Sequence, residues 1–146
     1  MTFPKRICLF AANIIVPLNA GLFIYLTKSE RTYLSDFLAF FRAKMPIIKY
    51  PALINSFACD FLWTYAMFFC IRISLGNELR GKHNLTVIIL TGIVAIILES
   101  IQLIKGIPGT FDVFDLIVEL IAIAVAILIT NFIERRFNYY EEKSVS

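Results

Sequence analysis

The chain has 146 residues, 59% of them hydrophobic, and its mean hydropathy is +0.77. A soluble domain is closer to half apolar, so this excess places the chain in the membrane class. The net charge of +3 is too small to indicate nucleic acid as a partner. One histidine and three dispersed cysteines argue against a zinc site and a disulfide framework.

Four apolar segments are each close to the roughly 20 residues that a helix needs to cross the hydrocarbon core. They predict an all-α fold, because the unpaired backbone groups of a strand would find no partner in lipid. The expected architecture is a four-helix transmembrane bundle that forms one membrane domain, residues 1–146. The predicted spans are about 7–26, 52–73, 85–104 and 111–132.

The connections between these segments differ in character. In the first, apolar residues recur at helical spacing from Tyr33 to Phe41, which predicts an amphipathic interfacial helix over about 32–45 that ends before Pro46. It would lie flat in the headgroup layer or pack on the end of the bundle. The tight turn at 105–110 makes spans three and four an antiparallel hairpin. A polar tail, 134–146, is expected to be partly disordered.

The distribution of Lys and Arg indicates an orientation. Eight of the 14 lie in the N-terminal segment, the second loop and the tail, which share one side of the predicted bundle. Basic residues favour the cytoplasmic side, so both termini are expected in the cytoplasm. The turn at 105–110 would then face outward.

Carboxylates are concentrated where the third and fourth predicted spans meet. Asp112, Asp115 and Glu119 follow i, i+3, i+7 spacing and therefore share one helix face. The end of the third span carries a matching polar stripe, and Asp60 lies about 12 Å into the second span from the same side. We expect six polar side chains to turn inward to one pocket as candidate ligand-binding groups: Asp60, Glu99, Gln102, Asp112, Asp115 and Glu119.

These acids need compensation, because an unpaired carboxylate in hydrocarbon costs about 3 kcal/mol or more. Protonation, a cation or cationic ligand group, or a water-filled cavity would each provide it. If a divalent cation is the cofactor, its ligands would be Glu99, Asp112 and Asp115. Asp112 has the alternative of capping a helix near the interface. Basic side chains could also reach in from the same side: Arg42, Lys44, Lys49 and Lys105.

Two short motifs flank the turn between the third and fourth spans. The first is ESIQ at 99–102, and the second is GTFD at 109–112 followed by Asp115. An earlier stretch, CDFLWTYA at 59–66, also opens on an acid within an apolar run. Together these stretches resemble the VanZ-like family of small bacterial membrane proteins, whose pattern is E-x-x-Q, a short turn and D-x-x-D.

The chain departs from the family pattern in ways that make its site more acidic. Many members carry a histidine before the second span, and this chain has none there. Many carry arginine in the turn, which here reads IPGT at 107–110. Many have asparagine where Glu119 stands. These changes make the pocket less able to bind an anion unaided.

The resemblance implies an integral protein of the bacterial cytoplasmic membrane, related to glycopeptide (teicoplanin-type) antibiotic resistance. It would bind or process a lipid-linked or glycopeptide-type envelope ligand at an acidic pocket in the outer half of the bilayer. Glu99 and Asp115 would be the principal groups. Catalysis is left open, and so is an oligomer. Two alternatives stay open beside it: a small structural or accessory membrane subunit, and a proton- or cation-coupled transporter.

Overall fold

The computed structural model describes residues 3–29, 37–75, 84–102 and 112–145. Over these residues the fold is all-α, as predicted, and contains no strand. The helices, in chain order, are α1 (Phe3–Thr27), α2 (Ala39–Arg42), α3 (Ala52–Ser74), α4 (Asn84–Ile101) and α5 (Val113–Val145).

Three helices in the described part of the chain are long and apolar enough to cross a membrane. They cover Arg6–Thr27 of α1, Ala52–Ser74 of α3 and Val113–Arg136 of α5. The apolar part of α4, Leu85–Ile101, is shorter than these, and the last two residues of the predicted third span lie outside the described residues. The chain therefore has the helices of a membrane protein.

Helix α3 is the centre of the bundle. It packs against α1, α4 and α5, and α4 also packs on α5. Two fully buried rings of α3, Phe68 and Phe69, fill the core together with Phe10 of α1, Val87 of α4 and Ala126 of α5. Within the described residues α1 and α4 are not packed extensively against each other. A gap therefore remains between these two helices, above the face of α3.

The outward faces of the long helices are apolar. Val16, Ile96 and Leu128, on three different helices, each expose more than half of their side-chain surface. Water would penalise such a surface, whereas hydrocarbon accepts it. This distribution fits a bilayer around the bundle.

The region of the predicted interfacial helix differs from the expectation. Residues 32–36 of it lie outside the described part of the chain, and the rest forms only the single turn of α2. The chain then becomes irregular and returns to the end of α1. There the N–H of Ile48 donates to the carbonyl oxygen of Thr27 at 2.7 Å, and the Thr27 and Tyr50 hydroxyls lie 2.8 Å apart. These bonds hold the stretch after Pro46 against the end of α1.

The helix that contains the fourth predicted span is longer than that span. Helix α5 does not end near residue 132 but continues to Val145, through the polar segment. No glycine or proline interrupts the sequence from 113 to 145, so no residue strongly opposes the helix. An ion pair at Glu134, described below, ties the beginning of this extension to α3.

Candidate functional site

A partly open cavity of about 410 Å³ lies beside α3, between α1 and the hairpin of α4 and α5. Its polar wall is formed by Asp60 and Thr64 of α3, Glu99 and Gln102 at the end of α4, and Glu119 of α5. The remaining wall is aromatic or apolar. Four of the six predicted site residues are thus brought to one cavity.

Glu119 is the deepest acid along α5 and is only 6% exposed. Its Oε1 accepts a hydrogen bond of 3.3 Å from the hydroxyl of Thr64 on α3. Its Oε2 is buried and has no hydrogen-bond partner among the described residues. The carboxylate is therefore oriented by one neutral donor and leaves one acceptor unused.

Glu99 repeats this arrangement on α4. It is 4% exposed, and its Oε1 accepts a hydrogen bond of 3.1 Å from Nε2 of Gln102. The spacing of three residues allows this contact because both side chains leave the helix on the same face. Within the described part of the chain Oε2 of Glu99 is also buried and has no well-formed hydrogen bond, although the nearby backbone N–H of Asp112 stabilises the carboxylate.

Asp60 completes the acidic wall. It is half-buried, and its carboxylate interacts electrostatically with those of Glu99, Glu119 and Asp115. The basic group that acts on Asp60 is Lys28, which is 8% exposed at the end of α1. Sequence reasoning had looked to other basic residues for this role. The proximity of Lys28 to Asp60 follows from the packing of α1 on α3, which spacing along the chain does not reveal.

Asp112 and Asp115 stand beside the cavity rather than in it. Asp112 is exposed, and its Oδ1 accepts a hydrogen bond of 2.9 Å from the backbone N–H of Phe114. It therefore caps the start of α5, which is the alternative role considered for it. Asp115 is half-buried one turn further along and contributes charge to the neighbouring acids.

A metal centre is not formed by the residues that the structure describes. No group of three His, Cys, Asp or Glu side chains among them is close enough to hold a metal ion. The trio of Glu99, Asp112 and Asp115 is not assembled, because the Asp112 carboxylate turns back to the helix start. What the cavity offers instead is a set of acceptors for hydrogen-bond donors.

The aromatic wall consists of Tyr25 of α1 and Trp63 of α3, whose rings lie 5.7 Å apart at an angle of 57°. The indole reaches this position because Gly21 carries no side chain. A Cβ at position 21 would stand 2.5 Å from Nε1 of Trp63. Sequence reasoning treated Trp63 as a packing or interface residue and gave Gly21 no role.

The cavity extends along α3 to Met67 and Cys70, beside the apolar core of the bundle. The fully buried Phe68 lies one turn beyond Thr64 on α3, and Arg72 follows one turn later. Arg72 is paired with Glu134 of α5 at 2.5 Å. Thr64 and Arg72 are separated by about 12 Å along the helix. The acidic cavity and this ion pair are therefore distinct polar sites with apolar side chains between them.

Two contacts of the site could have been predicted from residue spacing in the sequence. Thr64 follows Asp60 by four residues, so the two share a helix face. Glu134 follows Glu119 by 15 residues, close to four helical turns, so it lies on the same side of α5. A search of these faces of α3 and α5 for polar partners would have identified Thr64 and the Arg72–Glu134 pair.

The residues that resemble the VanZ-like pattern are distributed around this cavity. Asp60, Glu99 and Gln102 line it, whereas Asp112 and Asp115 lie next to it. No protein-family model matches the chain, and neither a curated protein nor a solved structure with significant similarity to it was found.

Proposed function

We propose that this chain is a VanZ-like membrane protein whose acidic cavity binds a polar group of a lipid-linked or glycopeptide-type envelope ligand. One observation carries the proposal. Glu99 and Glu119 are each buried, each held by one neutral donor, and each left with one oxygen unpartnered among the described residues. Keeping such groups in an apolar bundle is costly, and a bound ligand would offset the cost.

The proposal places four helices across the bacterial cytoplasmic membrane, with α4 as the fourth. Its 18 residues are about 27 Å long, close to the roughly 30 Å of the hydrocarbon core. Both termini would be cytoplasmic, as the Lys and Arg distribution favours. The cavity then lies in the outer half of the bilayer, where envelope precursors and glycopeptides are met.

A transporter is supported less well than a binding protein. Transport of a proton or cation across the bilayer requires a polar pathway to the opposite side. The carboxylates of the cavity lie at one end of it, and the lining further along α3, Met67 and Cys70, carries no charge. A polar wall confined to one end of the cavity fits binding at one surface.

An accessory subunit is the remaining alternative, and a specific contact favours it. The Thr64–Glu119 hydrogen bond joins α3 to α5, and a second bond of 2.5 Å joins the Tyr65 hydroxyl to Oδ1 of Asn13 on α1. Polar contacts of this kind hold membrane helices together without any ligand. Such a role does not explain why Oε2 of Glu99 and Oε2 of Glu119 are buried without a hydrogen-bond partner among the described residues.

The test is teicoplanin susceptibility of a bacterial host that produces the chain. We expect Glu99→Gln and Glu119→Gln to abolish any protection while the amount of protein in the membrane is unchanged. Asp112→Asn is the matched control, since it removes a carboxylate outside the cavity and asparagine still caps a helix. Full protection by both Gln variants would refute the binding role. Loss of the folded protein in both would support the accessory subunit instead.

A further inference from the structure

The polar wall of the cavity carries a strong imbalance of charge. Three carboxylates line it, and none of the described lining side chains is basic. Lys28, which is not among the lining residues, has its Nζ 4.7 Å from the centre of the Tyr25 ring and acts electrostatically on Asp60. Arg72 is engaged by Glu134 beyond the apolar core. Building on the binding role proposed above, we infer that the cavity takes the primary ammonium group of a lipid head group.

The hydrogen-bonding capacity of the wall matches an ammonium group. Such a group has three donors and no acceptor. Oε2 of Glu99 and Oε2 of Glu119 are acceptors that lack a partner among the described residues, and both belong to side chains more than nine-tenths buried. Asp60 adds a third carboxyl group to the same wall. A phosphate or a free carboxylate would find no basic side chain among the described lining residues.

A metal ion fits the same wall poorly. A calcium ion takes six to eight oxygen ligands, and the described residues assemble no group of three side chains able to hold a metal. Gln102 and Thr64 turn donors, not acceptors, toward the two glutamates. An ammonium group has three donors, for which the acceptors are the two oxygens that these donors leave unused and the Asp60 carboxylate.

The aromatic wall points to the same ligand class. The faces of tryptophan and tyrosine attract cations, including ligand ammonium groups, within about 6 Å. Trp63 and Tyr25 both line the cavity, and the Tyr25 ring already contacts one ammonium group, that of Lys28. Gly21 allows the indole to approach α1 closely enough to complete this wall.

The rim of the cavity indicates that the ligand comes from the bilayer. Three of its lining side chains are also substantially exposed on the apolar outside of the bundle: Trp63 at 41%, Leu98 at 52%, and Leu18. They border the gap between α1 and α4. A volume of about 410 Å³ suits a head group, while the acyl chains of a lipid would stay outside against the apolar rim.

The test is lipid binding to the full-length protein in detergent micelles, followed by native mass spectrometry. The probes are phosphatidylethanolamine, the same lipid with its amine acetylated, and phosphatidylglycerol. Acetylation removes the ammonium charge and keeps the phosphate and both chains. We expect phosphatidylethanolamine to bind at least about tenfold more tightly than either of the others, because charged hydrogen bonds are lost with the amine.

Substitutions of lining residues test whether the preference for phosphatidylethanolamine depends on the cavity. Glu99→Gln and Glu119→Gln should each reduce it about tenfold or more, and Asp112→Asn should leave it intact. Trp63→Leu provides a variant that alters no carboxylate, and it should weaken binding of phosphatidylethanolamine without weakening that of phosphatidylglycerol. Equal binding of all three lipids, or a preference that survives both Gln variants, would overturn the inference.

Two further binding experiments distinguish failure of the lipid-ammonium inference from failure of the binding role on which it depends. If free ethanolamine occupies the site as tightly as the lipid does, a lipid source is overturned. If a glycopeptide or a lipid-linked precursor binds in a Glu99-dependent manner and phosphatidylethanolamine does not, the inference fails while the binding role stands. If the Gln variants change neither lipid binding nor teicoplanin susceptibility, both fail.

Discussion

Arg72 of α3 and Glu134 of α5 form an ion pair of 2.5 Å at the end of the bundle opposite the acidic cavity. Arg72 is 3% exposed, so its charge is almost entirely removed from solvent. Glu134 stands within the long extension of α5. The pair therefore fixes this part of α5 against α3 and gives the buried guanidinium its counter-charge.

Removal of one partner from this pair is expected to destabilise the fold. Glu134→Gln leaves the Arg72 charge buried without compensation, which should cost about 3 kcal/mol in the free energy of unfolding. The double variant Arg72→Leu, Glu134→Leu should regain most of that loss, because apolar residues replace both charges. Denaturant titration in detergent measures this, and a single variant as stable as the original chain would contradict it.

Gly21 is predicted to be the less replaceable of two helical glycines. A Cβ there meets the Trp63 indole, whereas one at Gly92 meets nothing within 4 Å. Gly21→Ala should lower the unfolding free energy by about 1–3 kcal/mol through overpacking. Gly92→Ala should be neutral or stabilising by up to about 1 kcal/mol, because alanine favours helix. Trp63 is the sole tryptophan, so its fluorescence should shift in the first variant only.

The Thr64 hydroxyl is predicted to stabilise the buried Glu119. Thr64→Val keeps the shape of the side chain and removes the donor, which leaves Oε1 of Glu119 unsatisfied. We expect a loss of about 1–3 kcal/mol in the free energy of unfolding. Thr64→Ser retains the hydroxyl and should lose less. Equal stability of the Val and Ser variants would mean that the hydrogen bond contributes nothing.

The number of spans is open to a direct test. Four spans put both ends of the chain on one side of the membrane, and three put them on opposite sides. With Cys8, Cys59 and Cys70 replaced by alanine, a single cysteine is introduced as Thr2→Cys or as Ser144→Cys. Each should react with a membrane-impermeant maleimide only after the cytoplasmic side is opened. Labelling of the two from opposite sides would exclude the four-span arrangement.

Much of the fold could be predicted from the sequence, because a long apolar run in lipid satisfies its own backbone hydrogen bonds by forming a helix. The helix ends were less predictable. Residue 132 closes the apolar run, but nothing there stops a helix, and α5 continues through charged residues to Val145. The region of the predicted interfacial helix was predictable only in part. Its described portion contains the single turn of α2, and further along the chain forms bonds back to Thr27 that no local pattern reveals.

The candidate site was predictable as far as helix faces go. Spacing brought Glu99 and Gln102 to one face, and depth placed Asp60 and Glu119 at a similar level. Spacing alone could not separate Asp115 from Glu119, since both lie on the same face and only the neighbouring helices decide which one lines the cavity. The approach of Trp63 to Gly21 depends on how α1 and α3 cross, which is a tertiary property.

The gap between α1 and α4 determines the path by which a ligand would enter the cavity. Its rim is apolar and exposed on the outside of the bundle, so entry through it is movement within the plane of the membrane. Occupancy of such a site follows the mole fraction of a ligand among the surrounding lipids rather than its concentration in water. A lipid present as a major component would then saturate the cavity even with weak intrinsic affinity, and only a change in membrane composition would empty it.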